Sequence, residues 1–223
     1  MQDVEISIPS PPTRRRGNGL RRAARILGVL FVVAAVAIGG YVAWTLWGTG
    51  FTTQRWQSDL RPGLERRIVA GERNHPTPPP TVTHVPGDAV AIIKIARIHL
   101  NMVVVEGTDT LALEKGPGHY TGTAYPWQNQ GRVAIAGHRT TYLHPFFSLD
   151  ALSEGDPIVL QTEYGTFTYE VTGSYVTAPD GVLPDRTYVL DQTRRPTLAL
   201  TTCNPRYSAS QRLIVLADRV STG

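Results

Sequence analysis

The chain has 223 residues, 41% of them hydrophobic, which suits one ordinary domain with a real core plus additional segments. Its formal net charge of +4 invites a nucleic-acid reading, but six arginines (Arg14, Arg15, Arg16, Arg21, Arg22 and Arg25) near the N-terminus outnumber the whole excess. The remainder is close to neutral, so a nucleic-acid partner is not expected.

Residues 1–25 read as a disordered basic tail, with Pro9, Pro11 and Pro12 set against a helix. Residues 26–47, "ILGVLFVVAAVAIGGYVAWTLW", carry no charge. As a helix this run spans roughly 33 Å, enough for a hydrocarbon core of about 30 Å. Tyr41, Trp44 and Trp47 fall at its far end, where amphipathic rings favour the membrane interface. The arginines fall at its near end, so a single-pass anchor with a cytoplasmic N-terminus and an extracellular domain is expected. A cleaved signal peptide is the alternative. The apolar run is too long for one, and "AVA" at residues 35–37 is followed by more apolar sequence.

Residues 48–88 read as a juxtamembrane segment and a Pro-rich linker. The first part mixes polar and apolar positions and suggests a short helix broken near Pro62 and Gly63. In the second part Pro76, Pro78, Pro79 and Pro80 predict a semi-rigid extended spacer that holds the next domain off the bilayer.

From Ala89 to residue 219 the texture changes. "AVAIIKIARI" and "LNMVVVEG" are β-branched and predict two strands. Thr110–Lys115 predicts a short helix closed by Gly116 and Pro117. A strand follows through Ala136, then a turn at Gly137, then a short helical or irregular stretch in "PFFSLDALSEGD". "PIVLQT" and "TFTYEVTG" flank Glu163, Tyr164 and Gly165 as a hairpin, and "RTYVL", "TLALTT" and "RLIVLAD" supply three more strands. About eight short strands with little helix predict an all-β domain, closed or sandwich-like.

Three residues within this domain suit one chemistry. Cys203 is the only cysteine, so it staples nothing. It closes the strand "TLALTT" just before Asn204 and Pro205, either at a cleft or as a small buried hydrophobe. His138 follows an apolar strand and Gly137, so its ring can project from the strand end, and His119 in "GPGHY" is its one serious rival. Arg212 opens the last strand, and an antiparallel return would bring it beside Cys203. A thiol is only a few per cent ionised at neutral pH, and a cation beside it favours the thiolate. A histidine can take and return a proton, and an arginine can hold an oxyanion. Together these describe acyl transfer through a thioester. No Asp or Asn is placed to orient the histidine, which argues against a protease-like triad.

"ALTTC", the arginine nine residues later and "AGHRTTY" resemble the sortases of Gram-positive bacteria. The resemblance covers residues 89–219 and the N-terminal anchor. It implies an eight-stranded β-barrel and a membrane-anchored cysteine transpeptidase without cofactor. Cys203 would attack the Thr–Gly bond of a C-terminal sorting signal, His138 would be acid and base, and Arg212 would stabilise the oxyanion or position the substrate. Thr202 would line the cleft. The partners implied are secreted proteins bearing the signal and an amine on a peptidoglycan precursor, with the enzyme a monomer. The family pattern Thr-Leu-X-Thr-Cys departs here only at Ala199. "GPGHYTGTA" and "CNPRYSASQR" look most like class E sortases of actinobacteria, which favour Leu-Ala-X-Thr-Gly. Tyr120 is then either the reader of the second signal position or a packed barrel tyrosine.

Three other readings compete. Pilin-polymerising sortases often carry an aromatic lid before the barrel and a second C-terminal membrane segment, and neither is seen here. Cysteine L,D-transpeptidases place a glycine before the cysteine, where this chain has Thr202. A non-catalytic anchored β module would keep Cys203 buried and inert. No zinc spacing is visible, and Glu163 and Glu170 alone make no calcium site.

Overall fold

A computed structural model describes residues 18–79, 85–182, 190 and 192–222. It divides into two compact units, Met1–Ala43 and Trp44–Gly223. The first holds α1 (Asn18–Ala43), whose span Arg21–Ala43 is long and apolar enough to cross a membrane. The helix already includes Arg21, Arg22 and Arg25, so the expected disordered tail gives way to helix by residue 18. Residues 1–17 lie outside the described residues.

The second unit opens with a turn of π-helix over Trp44–Gly48, then α2 (Thr49–Asn74). The expected break at Pro62 does not occur. Pro62 is exposed on α2, so the Ser58 carbonyl that loses its partner faces water. On the opposite face Thr53, Gln57, Leu64, Ile68 and Gly71 are buried, a helical spacing. Gln57 exchanges hydrogen bonds with the Val103 backbone at 2.7 and 3.0 Å and donates to Lys115 O at 2.8 Å. Leu64 and Ile68 pack on Ile92 and Val103, each apolar burial stabilising by about 1.5–3 kcal/mol. Gly71 lies against the Glu163 backbone so closely that any Cβ would collide with it. α2 thus packs on the barrel ahead of the Pro-rich stretch, of which residues 80–84 lie outside the described residues.

The barrel closes in the order β1-β2-β3-β4-β7-β8-β6-β5, with β5 returning to β1. Its strands are β1 (Ala89–Ile95), β2 (Leu100–Glu106), β3 (Gly118–His119), β4 (Arg132–Ala136), β5 (Pro157–Thr162), β6 (Gly165–Thr177), β7 (Thr197–Asn204) and β8 (Gln211–Thr222). β2/β3 and β4/β7 are parallel, and the other pairs are antiparallel. Inward residues such as Ile93, Ile135, Leu160, Tyr169, Leu198, Leu200 and Val215 form one core. The helix α3 (Thr110–Lys115) falls where predicted, capped by Asp109, whose Oδ1 accepts from Ala112 N at 3.0 Å. Leu149–Ala151 makes a single 3-10 turn. The predicted strand "RTYVL" lies, but for Leu190, outside the described residues. Among the described residues the barrel includes one strand that was not predicted, β3, two residues in a Gly-Pro-Gly context with no β-branched run to announce it.

Candidate active site

The parallel pair β4/β7 aligns Ala136 with Thr201. Two bonds continue the pairing past the end of β4. Gly137 N donates to Thr201 O at 3.0 Å, and Thr202 Oγ1 donates to Gly137 O at 2.7 Å. The register thus carries His138 to the level of Cys203. On its other side β7 pairs antiparallel with β8, and there Cys203 and Arg212 are direct partners. Cys203 on β7 and Arg212 on β8 stand at one level with His138, two residues past the end of β4. Gly137 is required here by close approach, because a Cβ would sit about 2.5 Å from the buried Phe146 ring.

Strand alternation sorts the neighbours. Leu200 points into the core, and so does Thr202, which is 3% exposed. Thr202, expected to line the cleft, is therefore turned away from the face that carries Cys203. Its hydroxyl ties the strand ends together from inside. Thr201 and Cys203 share the outer side, where the half-buried Tyr120 meets Thr201, hydroxyl to hydroxyl, at 3.0 Å. Burial raises the Tyr120 phenol above its ordinary 10.0, and the Thr201 bond and Arg212 charge oppose this, while Cys203 adds to it. Arg212 Nη1 donates to Ala209 O and Gln211 O, both at 2.9 Å.

The His138 ring packs on Tyr142, centroids 4.9 Å apart and planes at 32°. Its Nε2 is buried without a hydrogen-bond partner. Burial lowers the imidazole pKa below 6.5, and the charge of Glu114 partly offsets it. The rival, His119, is enclosed. It is 1% exposed, its Nδ1 lies 2.9 Å from Glu106 Oε2, and its Nε2 lies 3.0 Å from Ala124 O. Both nitrogens are committed to buried protein acceptors, so His119 has no free nitrogen for a substrate.

Arg139 escaped the sequence reading. It is 4% exposed, and its Nη1 donates to Asn204 Oδ1 at 2.6 Å and to Cys203 O at 3.2 Å. Its Nη2 pairs with Asp150 at 3.1 Å, and Arg206 holds the same carboxylate at 2.9 and 3.1 Å. Burial raises the Asp150 pKa, but the Arg206 hydrogen bonds and both guanidinium charges outweigh it and hold it below 3.8. A signal existed. Arg139 directly follows His138, and extended residues alternate sides, so one faces the thiol's level while the next turns toward its backbone. Among the described residues no group of three His, Cys, Asp or Glu gathers as a metal site. A cleft of about 470 Å³ between α2 and the barrel end near Trp127 includes none of Cys203, His138 and Arg212.

A closed eight-stranded barrel with a strand-end cysteine flanked by histidine and arginine has the parts of a cysteine acyl-transfer enzyme. The sortase-domain family model matches residues 93–220. Sortase D of Bacillus subtilis is 29% identical over 204 residues, covering 88% of this chain and 99% of that protein. Sortase SrtE1 of Streptomyces coelicolor is 28% identical over 213 residues, covering 89% of this chain and 57% of that protein. Among solved structures, sortase E of Streptomyces avermitilis superposes with a TM-score of 0.54 at 39% identity, over 63% of this chain and 93% of that one. The Clostridium perfringens sortase D5 transpeptidase superposes with a TM-score of 0.58 at 27% identity, over 76% and 99%. The chain belongs to the sortase family of cysteine transpeptidases, which act on proteins bearing a sorting signal.

Proposed function

We propose that this sortase cleaves the Thr–Gly bond of a Leu-Ala-X-Thr-Gly sorting signal and joins the protein to a cell-wall amine. The carrying observation is the shared level of Cys203 on β7, Arg212 on β8 and His138 just past the end of β4. With its pKa lowered by burial, His138 rests neutral near pH 7. As Cys203 Sγ bonds to the Thr carbonyl carbon, His138 takes the thiol proton. Arg212 faces the developing oxyanion. The tetrahedral intermediate collapses, the C–N bond breaks, and His138 returns the proton to the leaving glycine amine. The acceptor amine loses a proton to His138 and attacks the thioester, the C–S bond breaks, and His138 returns that proton to the Cys203 sulfur. Tyr120 reads the second signal position, in keeping with its place beside Thr201 on the outer face. The class E preference is supported by 39% identity to sortase E of S. avermitilis against 27% to the sortase D5.

The span Arg21–Ala43 serves as a single-pass anchor, the arginine-rich end cytoplasmic and the barrel outside. The full chain in detergent, given Leu-Ala-X-Thr-Gly and Leu-Pro-X-Thr-Gly peptides with a glycine-based amine, tests the reaction by mass spectrometry. Transpeptidation at Thr–Gly that vanishes in Cys203→Ala is the expected result, with the Ala peptide faster. Cleavage that survives Cys203→Ala overturns the thioester. No cleavage of either peptide, with a thiol that labels only after unfolding, leaves an anchored binding module. Tyr120→Phe should narrow the rate ratio between the two peptides.

A further inference from the structure

We infer that Tyr142 and Glu114 are positioning residues for His138, held in place by the first turns of α2. The inference rests on His138 being the acid and base of the proposed reaction. Tyr142 packs on the imidazole at 4.9 Å with the planes tilted by 32°, which limits the ring's rotation. The Tyr142 hydroxyl donates to Glu114 Oε1 at 2.9 Å, so the tyrosine is itself fixed. Both partners are then tied to α2. Tyr142 N donates to Thr49 Oγ1 at 3.2 Å, and Thr53 Oγ1 donates to Glu114 O at 2.7 Å. The chain accepts a costly backbone to do this. Tyr142, Leu143 and His144 have φ of 52°, 61° and 39°, three successive side-chain-bearing residues in the left-handed region. A connecting turn has no need of such a run, and strain of this kind persists where surrounding contacts over-determine it. Closing bonds do so here, from His144 N to Thr141 O at 2.7 Å and from Phe146 N to His138 O at 3.1 Å.

Glu114 adds a charge. The titratable groups around His138 are Glu114 from α3, Tyr142 from its own loop, Cys203 from β7 and, one strand further, Arg212 from β8. Arg139, next in the chain, is turned to Cys203 O and Asn204. Glu114 is the anion that favours the imidazolium formed when the thiol is deprotonated, against the burial that disfavours it. A neutral tyrosine carries no such charge, so the two residues divide the work between orientation and electrostatics.

The test uses the full chain in detergent with Glu114→Gln and Tyr142→Phe. Glutamine keeps an acceptor for the Tyr142 hydroxyl but removes the charge. Phenylalanine keeps the ring contact but removes the tether. Imidazole NMR should show the His138 titration midpoint lower in Glu114→Gln, and the limb of the pH–rate profile that it sets should move the same way. For both variants kcat should fall on the order of 10-fold at pH 7 with KM for the peptide unchanged, a fraction of the 10²–10⁴ that a positioned acid/base contributes. Because one variant removes the charge and the other the tether, the double variant should lose close to the product of the two single losses. A purely structural pair would lower thermal stability while leaving midpoint and kcat where they were, and that result overturns the inference. The two readings fail separately. A wild type without turnover overturns the reaction, whereas an active wild type with unmoved variants overturns only the positioning.

Discussion

At the scale of single residues, Arg139 shows how a buried cation can be structural and still serve the site. Its fork grips the end of β7, holding the carbonyl of Cys203 and the side chain of Asn204 while Asp150 balances its charge. Arg139→Met would leave those acceptors without a donor in a site that water reaches poorly. The expected loss is about 2–3 kcal/mol, near the upper range for unsatisfied buried groups. The Asp150 pair adds little to that figure, since its carboxylate is 44% exposed and solvent screens it. Arg139→Lys keeps the charge but not the planar fork, so it should lose about half as much. Denaturant unfolding followed by near-ultraviolet circular dichroism checks both. A Met variant as stable as the wild type would show that the clamp is idle. Thr202 teaches the converse. Its place beside the nucleophile suggests a cleft residue, yet period-2 alternation sends it inward, and only the register against β4 reveals its bond to Gly137.

At the scale of elements, legibility followed chemistry. Long β-branched runs announced β1, β2, β7 and β8, and Gly116 and Pro117 closing Thr110–Lys115 announced α3. One element stayed hidden, and another was expected only as a short helix broken near Pro62. β3 is two residues long and owes its existence to its neighbours on either side. α2 has its buried stripe at 53, 57, 64, 68 and 71, but Thr53 and Gln57 are polar, so the apolar period breaks in its first half. Pro62 then reinforced the wrong conclusion. What those polar residues do inside is specific: Gln57 satisfies the Val103 N–H and C=O outside the strand ladder. Gln57→Ala should therefore lower stability by about 2–3 kcal/mol through stranded backbone groups. A chain cut to begin at residue 75 should go further. It would bare Ile92 and Val103 and strip the supports of Tyr142 and Glu114. Compared with a chain beginning at residue 44, it should bind more of a hydrophobic dye and turn over substrate more slowly. Equal behaviour of the two would mean that α2 merely rests on the barrel.

At the scale of the whole molecule, the barrel has one thin seam. β3 meets β2 and β4 through only two residue pairs on each side, whereas β6 and β8 share ten aligned positions. A cross-linking side-chain network lies at this seam. Glu106, at the end of β2, accepts from the His119 ring of β3 at 2.9 Å, from Thr121 at 2.8 Å and from Tyr125 at 3.0 Å. Burial raises the Glu106 pKa, but the His119 hydrogen bond and charge, with the two hydroxyls, outweigh it and hold it below 4.5. The same carboxylate pushes the Tyr125 phenol well above the ordinary tyrosine range, after burial itself. For a carboxylate whose folded pKa is depressed, the stabilisation is fully present above the unfolded value. It is lost as pH falls through the folded one. Glu106→Gln removes the charge but keeps the shape, and a hydrogen bond to a charged group is worth about 1.5–3 kcal/mol. At roughly 2–4 °C per kcal/mol for a domain of this size, its melting temperature at pH 7 should fall by at least several degrees. That gap should stay constant down to about pH 5, then narrow toward pH 3 as the wild type takes up its proton. Amide exchange at Val105 and Gly107, which donate to Pro117 and His119 across the seam, should quicken first in the variant, ahead of the β6–β8 ladder. A gap that persists undiminished at pH 3 would mean that packing closes the seam and the carboxylate only occupies it.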